Sequence, residues 1–308
     1  MSNKIILGSR GSKLSLAYAN KVLNLLSGIR TDLNKEVILK TIKTSGDLYD
    51  KKKISEIGGK NLFCKEIEDK LISKEIDIAV HSLKDLDSIE TEGLVIKAYL
   101  KRNDPRDTLV STKFKKLSEF NGQKIGSSSR RRELQLKQLN RNIKVENIRG
   151  NVDTRIKKIE NGEFDGAVLA LAGLKVLNLE KYIKEIFSLK DFLPTAGQGI
   201  IAVQCRAQDE YIKKILKEIN HKDTETCALA ERSFLKTLGG DCDTAVGCTA
   251  ILNKKDIELK AQLFSDDGTK VYNITKIGKE NEPELLGKIA GEEILKQSGK
   301  NFIKKRWI

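Results

Sequence analysis

The sequence predicts an α/β protein of three domains, the third a small α+β unit with a three-stranded sheet. Three observations carry that prediction. Short apolar runs of strand length alternate with helical spacings through roughly the first two hundred residues, as in sheets covered by helices. Turn-rich breaks fall at Asp104-Pro105-Arg106-Asp107 and at Leu193 to Gly199. From about Asp223 the pattern changes to a helix, three grouped strand-like runs and a last helix.

Taken in order, Lys4 to Gly8 reads as a strand and Lys13 to Ser27 as a helix stopped by Gly28. Glu36 to Lys43 alternates apolar and polar residues as a strand does. Leu62 to Ser73 has helical spacing (Leu62, Ile67, Leu71), and strands are expected at Ile76 to Val80 and Leu94 to Leu100. A second unit follows, with strands at Lys124 to Gly126, Ile143 to Ile148 and Asp165 to Leu171. Its helices are Arg130 to Leu139 and Asn151 to Asn161. Ile200 to Gln204 reads as a strand without a domain of its own, so the chain is expected to return to the first sheet. That crossing implies two lobes with a hinged cleft, a common place for ligands. Helix to Leu238, strands at Ala245 to Leu252, Ile257 to Phe264 and Lys270 to Thr275, and a helix from Pro283 to Gln297 complete the chain. The expected domains are 1–100 with 200–218, 101–199, and 219–308.

Composition narrows the function. The 308 residues carry 57 Lys+Arg against 43 Asp+Glu, a net charge of +14, and only three prolines. The longest apolar stretch, Ala167 to Leu174, is far short of the roughly 20 residues a membrane span needs. Arg10 and Lys13 interrupt the early apolar segment, against a secretion signal. Five cysteines without a CxxC pair suit reduced thiols, so a cytoplasmic protein with no disulfide framework or metal site is expected. Between Lys124 and Lys158 there are eleven Lys/Arg and three acids, so +8 of the +14 sits in 35 residues. Such a segment attracts polyanions, either nucleic acid or a small substrate with several carboxylates. The remaining lysines read as solvated surface.

Three places could carry chemistry. His81-Ser82-Leu83-Lys84-Asp85 follows a buried strand, and ligands of open α/β sheets bind beyond the carboxyl ends of strands. Asp85 is there either a functional carboxylate or a helix cap. Gly126-Ser127-Ser128-Ser129-Arg130-Arg131-Arg132 joins a strand to a helix start, offering backbone N–H groups, hydroxyls and fork-shaped guanidinium donors. Arg149 and Arg155 are placed to converge on it. The alternative is a solvated basic helix. Cys242 follows Gly239-Gly240 in a tight loop before a strand, as an exposed thiol or a buried small residue. Cys64, Cys205 and Cys227 fall in apolar patterns and read as core, while Cys248 is a candidate second exposed thiol.

Taken together these motifs resemble the hydroxymethylbilane synthase family, also called porphobilinogen deaminases, over nearly the whole chain. The resemblance rests on Gly8-Ser9-Arg10-Gly11-Ser12, Gly58-Gly59-Lys60-Asn61-Leu62-Phe63, Val80 to Asp85 and Asp104 to Asp107. It continues through Gly126 to Arg132, Arg149 to Arg155, Leu193 to Gly199, Ala230-Glu231-Arg232 and the Cys242 loop. It implies joining four porphobilinogen molecules head to tail, with loss of ammonia at each step, into a linear tetrapyrrole. It also implies a covalent dipyrromethane cofactor, one per chain, held by a thioether at Cys242, with Asp85 as the catalytic carboxylate.

Arg10, Ser12, Ser82, Lys84, Ser127, Ser128, Ser129, Arg131, Arg132, Arg149 and Arg155 match positions that bind the acid groups of cofactor and substrate. Lys60 and Phe63 match a loop covering the cleft, and Gln198 the inter-lobe hinge. The first two domains are then expected to resemble periplasmic-binding-protein lobes. A monomer with no nucleic-acid or membrane partner is implied. Departures from the family pattern are Asp87 for a proline, Asp241 for a glycine, Val176 for an arginine and Tyr18 for a glutamine. None removes a reacting group.

Overall fold

The computed structural model describes residues 4–29, 36–45, 64–239, 245–265 and 267–299. The chain divides into two compact units, Met1–Asn103 with Ile200–Glu225, and Asp104–Gly199 with Thr226–Ile308.

In the first unit, β1 (Lys4–Arg10) runs through Gly11 into α1 (Lys13–Ser27). Ser12 caps that helix by accepting from the Ser15 N–H at 3.2 Å, which satisfies one of the free donors of its first turn. Tyr18, Ala19, Val22 and Leu26, three and four residues apart, bury one face, and Gly28 ends the helix. The remaining elements are β2 (Glu36–Ile42), α2 (Lys65–Ile72), β3 (Ile78–Ser82) and β4 (Leu94–Tyr99). A 3-10 turn over Leu83–Asp85 follows β3.

The second unit contains a sheet built from β5 (Asp107–Val110), β6 (Lys124–Gly126), β7 (Lys144–Glu146), β8 (Gly166–Ala170) and β9 (Ile183–Ile186). Its helices are α3 (Arg130–Leu139), α4 (Val152–Glu160) and α5 (Leu171–Val176). The chain then forms β10 (Ile201–Arg206) and α6 (Glu210–Glu218) in the first unit, and α7 (Lys222–Leu238). β11 (Val246–Asn253), β12 (Asp256–Phe264), β13 (Val271–Lys279) and α8 (Pro283–Ser298) complete the fold.

The two five-stranded sheets have the same design. Their orders are β2-β1-β3-β10-β4 and β7-β6-β8-β5-β9. In each, the first three strands are parallel and the fourth runs antiparallel between its neighbours. The returning strand read from the sequence is β10, inserted between β3 and β4. The sequence reading missed β5, β9, α5 and α6. β5 is four residues long and buried throughout, so it has no alternation to detect.

The carboxyl-terminal residues form an antiparallel sheet, β11-β12-β13. Its core joins Val246, Cys248, Ala250, Leu259, Ala261 and Leu263 to Phe234 of α7 and Leu286, Ala290 and Ile294 of α8. Cys248 is fully buried there, which corrects its reading as an exposed thiol: it sits on the inward face of β11. Cys64, Cys205 and Cys227 are buried, as the apolar patterns around them indicated.

Candidate functional site

Each five-stranded sheet presents its sequence-flagged residues at the carboxyl edge of its parallel strands. In the first unit, β1 ends at Arg10 and leads to the Ser12 cap of α1, while β3 ends at Ser82 and leads to Lys84 and Asp85. β1 and β3 are parallel neighbours in register (Leu7 opposite Ile78), so both ends lie on one edge. Arg10, Ser12, Ser82, Lys84 and Asp85 are all partly exposed. Asp85 belongs to the 3-10 turn, not to the cap of a following helix.

Two buried side chains lie close to this edge. Tyr18 on α1 is 6% exposed, and burial together with the negative charge of Asp85 pushes its phenol up to about 12. It therefore stays a neutral hydroxyl. His81 on β3 is buried and held down at about 4, because burial outweighs the opposing influence of the neighbouring Gln204 side chain.

In the second unit, β6 and β7 end side by side. Ser127 N–H donates to Glu146 O at 2.9 Å, and the Ser128 hydroxyl donates to Ile148 O. Ser129 caps α3, accepting from Arg132 N–H at 3.4 Å. Beyond β7, Arg149 precedes Gly150, whose φ of 103° belongs to glycine, and α4 begins after Asn151. Arg155 returns from α4 to donate through Nε to Gly150 O at 2.8 Å. The seryl turn, Arg149, Arg155 and two helix N-termini are thus collected at one strand edge, a place suited to anions.

Arg131 and Arg132 are not on a solvated helix face, as the alternative reading of the sequence had it. Both are buried and share the carboxylate of Asp107, the first residue of β5. Arg131 Nη2 lies 2.9 Å from Asp107 Oδ2, and Arg132 Nη2 lies 2.7 Å from Oδ1. Arg131 also donates to Leu193 O at 2.6 Å and Arg132 to Val168 O at 3.1 Å. Gln198 is fully buried beside them, donating to Asp107 Oδ1 at 2.9 Å and to Pro105 O at 2.7 Å. Burial pushes the Asp107 carboxyl up, but Arg132, Arg131 and Gln198 more than offset this and hold it at about 2. Burial lowers Arg131 to about 10 against the pull of Asp107, so it remains a cation. Sequence reasoning quoted Asp107 within a motif without giving it a role; its neighbours became visible only on folding.

The donors suit a group bearing several carboxylates. The buried Nε–H groups of Arg131 and Arg132 have no hydrogen-bond partner among the described residues, although each guanidinium is otherwise engaged. Cys242, Lys60 and Phe63 lie outside the described residues. Among the described residues no group of three or more His, Cys, Asp or Glu could hold a metal ion, and no helix is long and apolar enough to cross a membrane.

These features define a class: an α/β protein with two like-ordered sheets, a strand edge that gathers arginines and helix N-termini, and a small α+β carboxyl-terminal domain. Comparison with known proteins gives the family. The family model described as "Porphobilinogen deaminase, dipyromethane cofactor binding domain" matches residues 5–214, and "Porphobilinogen deaminase, C-terminal domain" matches residues 225–296. The chain is 38% identical over 297 residues to a porphobilinogen deaminase of Nitrobacter hamburgensis, covering 96% of this chain and 94% of that one. It is 42% identical over 294 residues to that of Syntrophomonas wolfei, covering 95% of each. A solved structure, the periplasmic VFT2 domain of Bordetella pertussis BvgS, matches at 14% identity and a TM-score of 0.45, covering 70% of this chain and 86% of that one. The chain belongs to the porphobilinogen deaminase family, and it is a dipyrromethane-dependent enzyme of tetrapyrrole biosynthesis.

Proposed function

We propose that this chain condenses four porphobilinogen molecules head to tail, releasing one ammonia each, and that water frees the product as hydroxymethylbilane. The observation that carries this reading is the family match across both parts of the chain, together with the partly exposed Asp85 on the turn after β3. Asp85 is the catalytic carboxylate. It faces the pyrrole N–H groups and stabilises the positive charge that develops as the amine leaves. It also passes protons to the leaving amine and takes them from the newly substituted ring carbon.

The Cys242 thiol carries the dipyrromethane as a thioether, and that group, when bound, supplies the pyrrole carbon to which substrate units are joined. Arg149, Arg155, the Ser127–Ser129 turn and the free Nε–H groups of Arg131 and Arg132 bind acetate and propionate groups in the second unit. Arg10, Ser12, Ser82 and Lys84 do so in the first. Gln198 holds Asp107 in place, and Lys60 and Phe63 match positions of the family's covering loop. The enzyme works as a cytoplasmic monomer, as the resemblance to its family implies.

Intact-protein mass spectrometry of freshly purified active enzyme tests the attachment. A mass increase equal to one dipyrromethane, lost in Cys242→Ser and kept when the buried Cys248 is replaced by Ala, is the expected result. An unmodified mass in active enzyme overturns the cofactor assignment. Asp85→Asn is expected to keep the fold and nearly abolish turnover; near-normal turnover removes Asp85 from its role.

A further inference from the structure

The 3-10 turn that carries Asp85 is three residues long and has little hydrogen bonding of its own. Its frame is held by Leu83 N–H donating to Ile200 O at 3.0 Å and Leu86 N–H donating to Leu83 O at 3.2 Å. A further tie reaches Asp85 itself: the Cys64 thiol donates to the Asp85 carbonyl at 3.3 Å. Cys64 is 1% exposed and occupies the N-cap of α2, where its side chain makes no capping bond. The thiol is therefore directed at the turn and away from its own helix.

The rest of α2 supports the same segment. Glu68, one helical turn beyond Cys64 on the same face, is buried. It accepts from Thr91 Oγ1 at 2.7 Å and from Gln204 Nε2 at 2.9 Å. Gln204 lies on β10 opposite Ala79 of β3, the strand that leads into the turn. One face of α2 thus reaches the strand before the turn indirectly, through Glu68 and Gln204, and the turn itself directly, through Cys64 and the Asp85 carbonyl.

We propose that Cys64 is a positioning residue for Asp85, its thiol fixing the carbonyl and with it the direction of the carboxylate. The proposal rests on the reading of Asp85 as the catalytic carboxylate. A buried thiol in apolar surroundings is a poor nucleophile, so its use here is as a donor.

Two substitutions separate donation from packing. Cys64→Ser keeps an X–H donor in a smaller side chain, whereas Cys64→Val keeps the volume and removes the donor. Both are assayed as holoenzyme, with cofactor loading checked by intact mass and folding by thermal unfolding, alongside Asp85→Asn. The expected result is a fall in kcat of about three- to tenfold for Cys64→Val, with KM for porphobilinogen within about twofold and at least half of kcat kept in Cys64→Ser. Wild-type kcat in Cys64→Val, or an equal loss in both variants, overturns the proposal and leaves Cys64 as packing. An active Asp85→Asn would instead overturn the catalytic reading, so the two failures are distinct.

Discussion

His81 stands four residues before Asp85, and its burial sets a measurable pH dependence. An imidazole held at about 4 in the folded state, against an ordinary value of 6.5, binds its proton more readily when the chain unfolds. Its contribution to stability is therefore full above pH 6.5 and is lost as pH falls towards 4. The loss is on the order of 3 kcal/mol for a shift of this size. Urea unfolding at several pH values, compared between the native chain and His81→Gln, isolates this limb because the carboxylates titrate in both. Asp107 makes a second prediction. Removing its charge in Asp107→Asn leaves Arg131 and Arg132 buried together without a counter-charge, which is expected to cost about 3–5 kcal/mol in urea unfolding. The sequence showed Asp107 only within a turn motif; that it opens a strand and is shared by two guanidinium groups some 25 residues away was not legible there.

At the level of elements, α7 and α8 pack so closely that glycine is required between them. A Cβ added at Gly287 would lie 2.2 Å from Ala230 O and 2.8 Å from Phe234 N, both backbone atoms that move only if the helices separate. Gly287→Ala is expected to lower stability by about 1–3 kcal/mol or more, read from the thermal midpoint. Gly28, by contrast, sits at φ −83° with its nearest neighbours 3.5 Å from an added Cβ. Gly28→Ala should be neutral or stabilising by up to about 1 kcal/mol, because only the unfolded chain loses freedom. Periodicity predicted α1, α3 and β6 with the bounds observed. It failed for β5 and β9, because short strands are defined by the partners they pair with.

For the whole molecule, the +14 charge is unevenly spread, and the basic Lys124 to Lys158 segment includes Arg149, Arg155 and the Arg131–Arg132 pair. An enzyme drawing a carboxylated substrate to such a segment is expected to lose kcat/KM as salt rises, since screening shortens the reach of charge to about 8 Å near physiological ionic strength. Steady-state kinetics between about 20 and 300 mM salt check this, with the change falling mainly in KM. An unchanged kcat/KM would limit those arginines to short-range contacts.

By itself the sequence determined the α/β class, the returning strand, the family and the motifs at the strand ends. These depend on local periodicity, on turn residues and on runs of neighbouring side chains, all of which are written contiguously. Tertiary structure alone decided which charges are spent inside the protein. It placed Asp107 between two arginines, buried Cys248, neutralised His81 and brought Cys64 to the carbonyl of Asp85 across 21 positions. The reason is physical: burial and pairing belong to residues brought together from distant parts of the chain, and no local pattern encodes a partner that lies outside it.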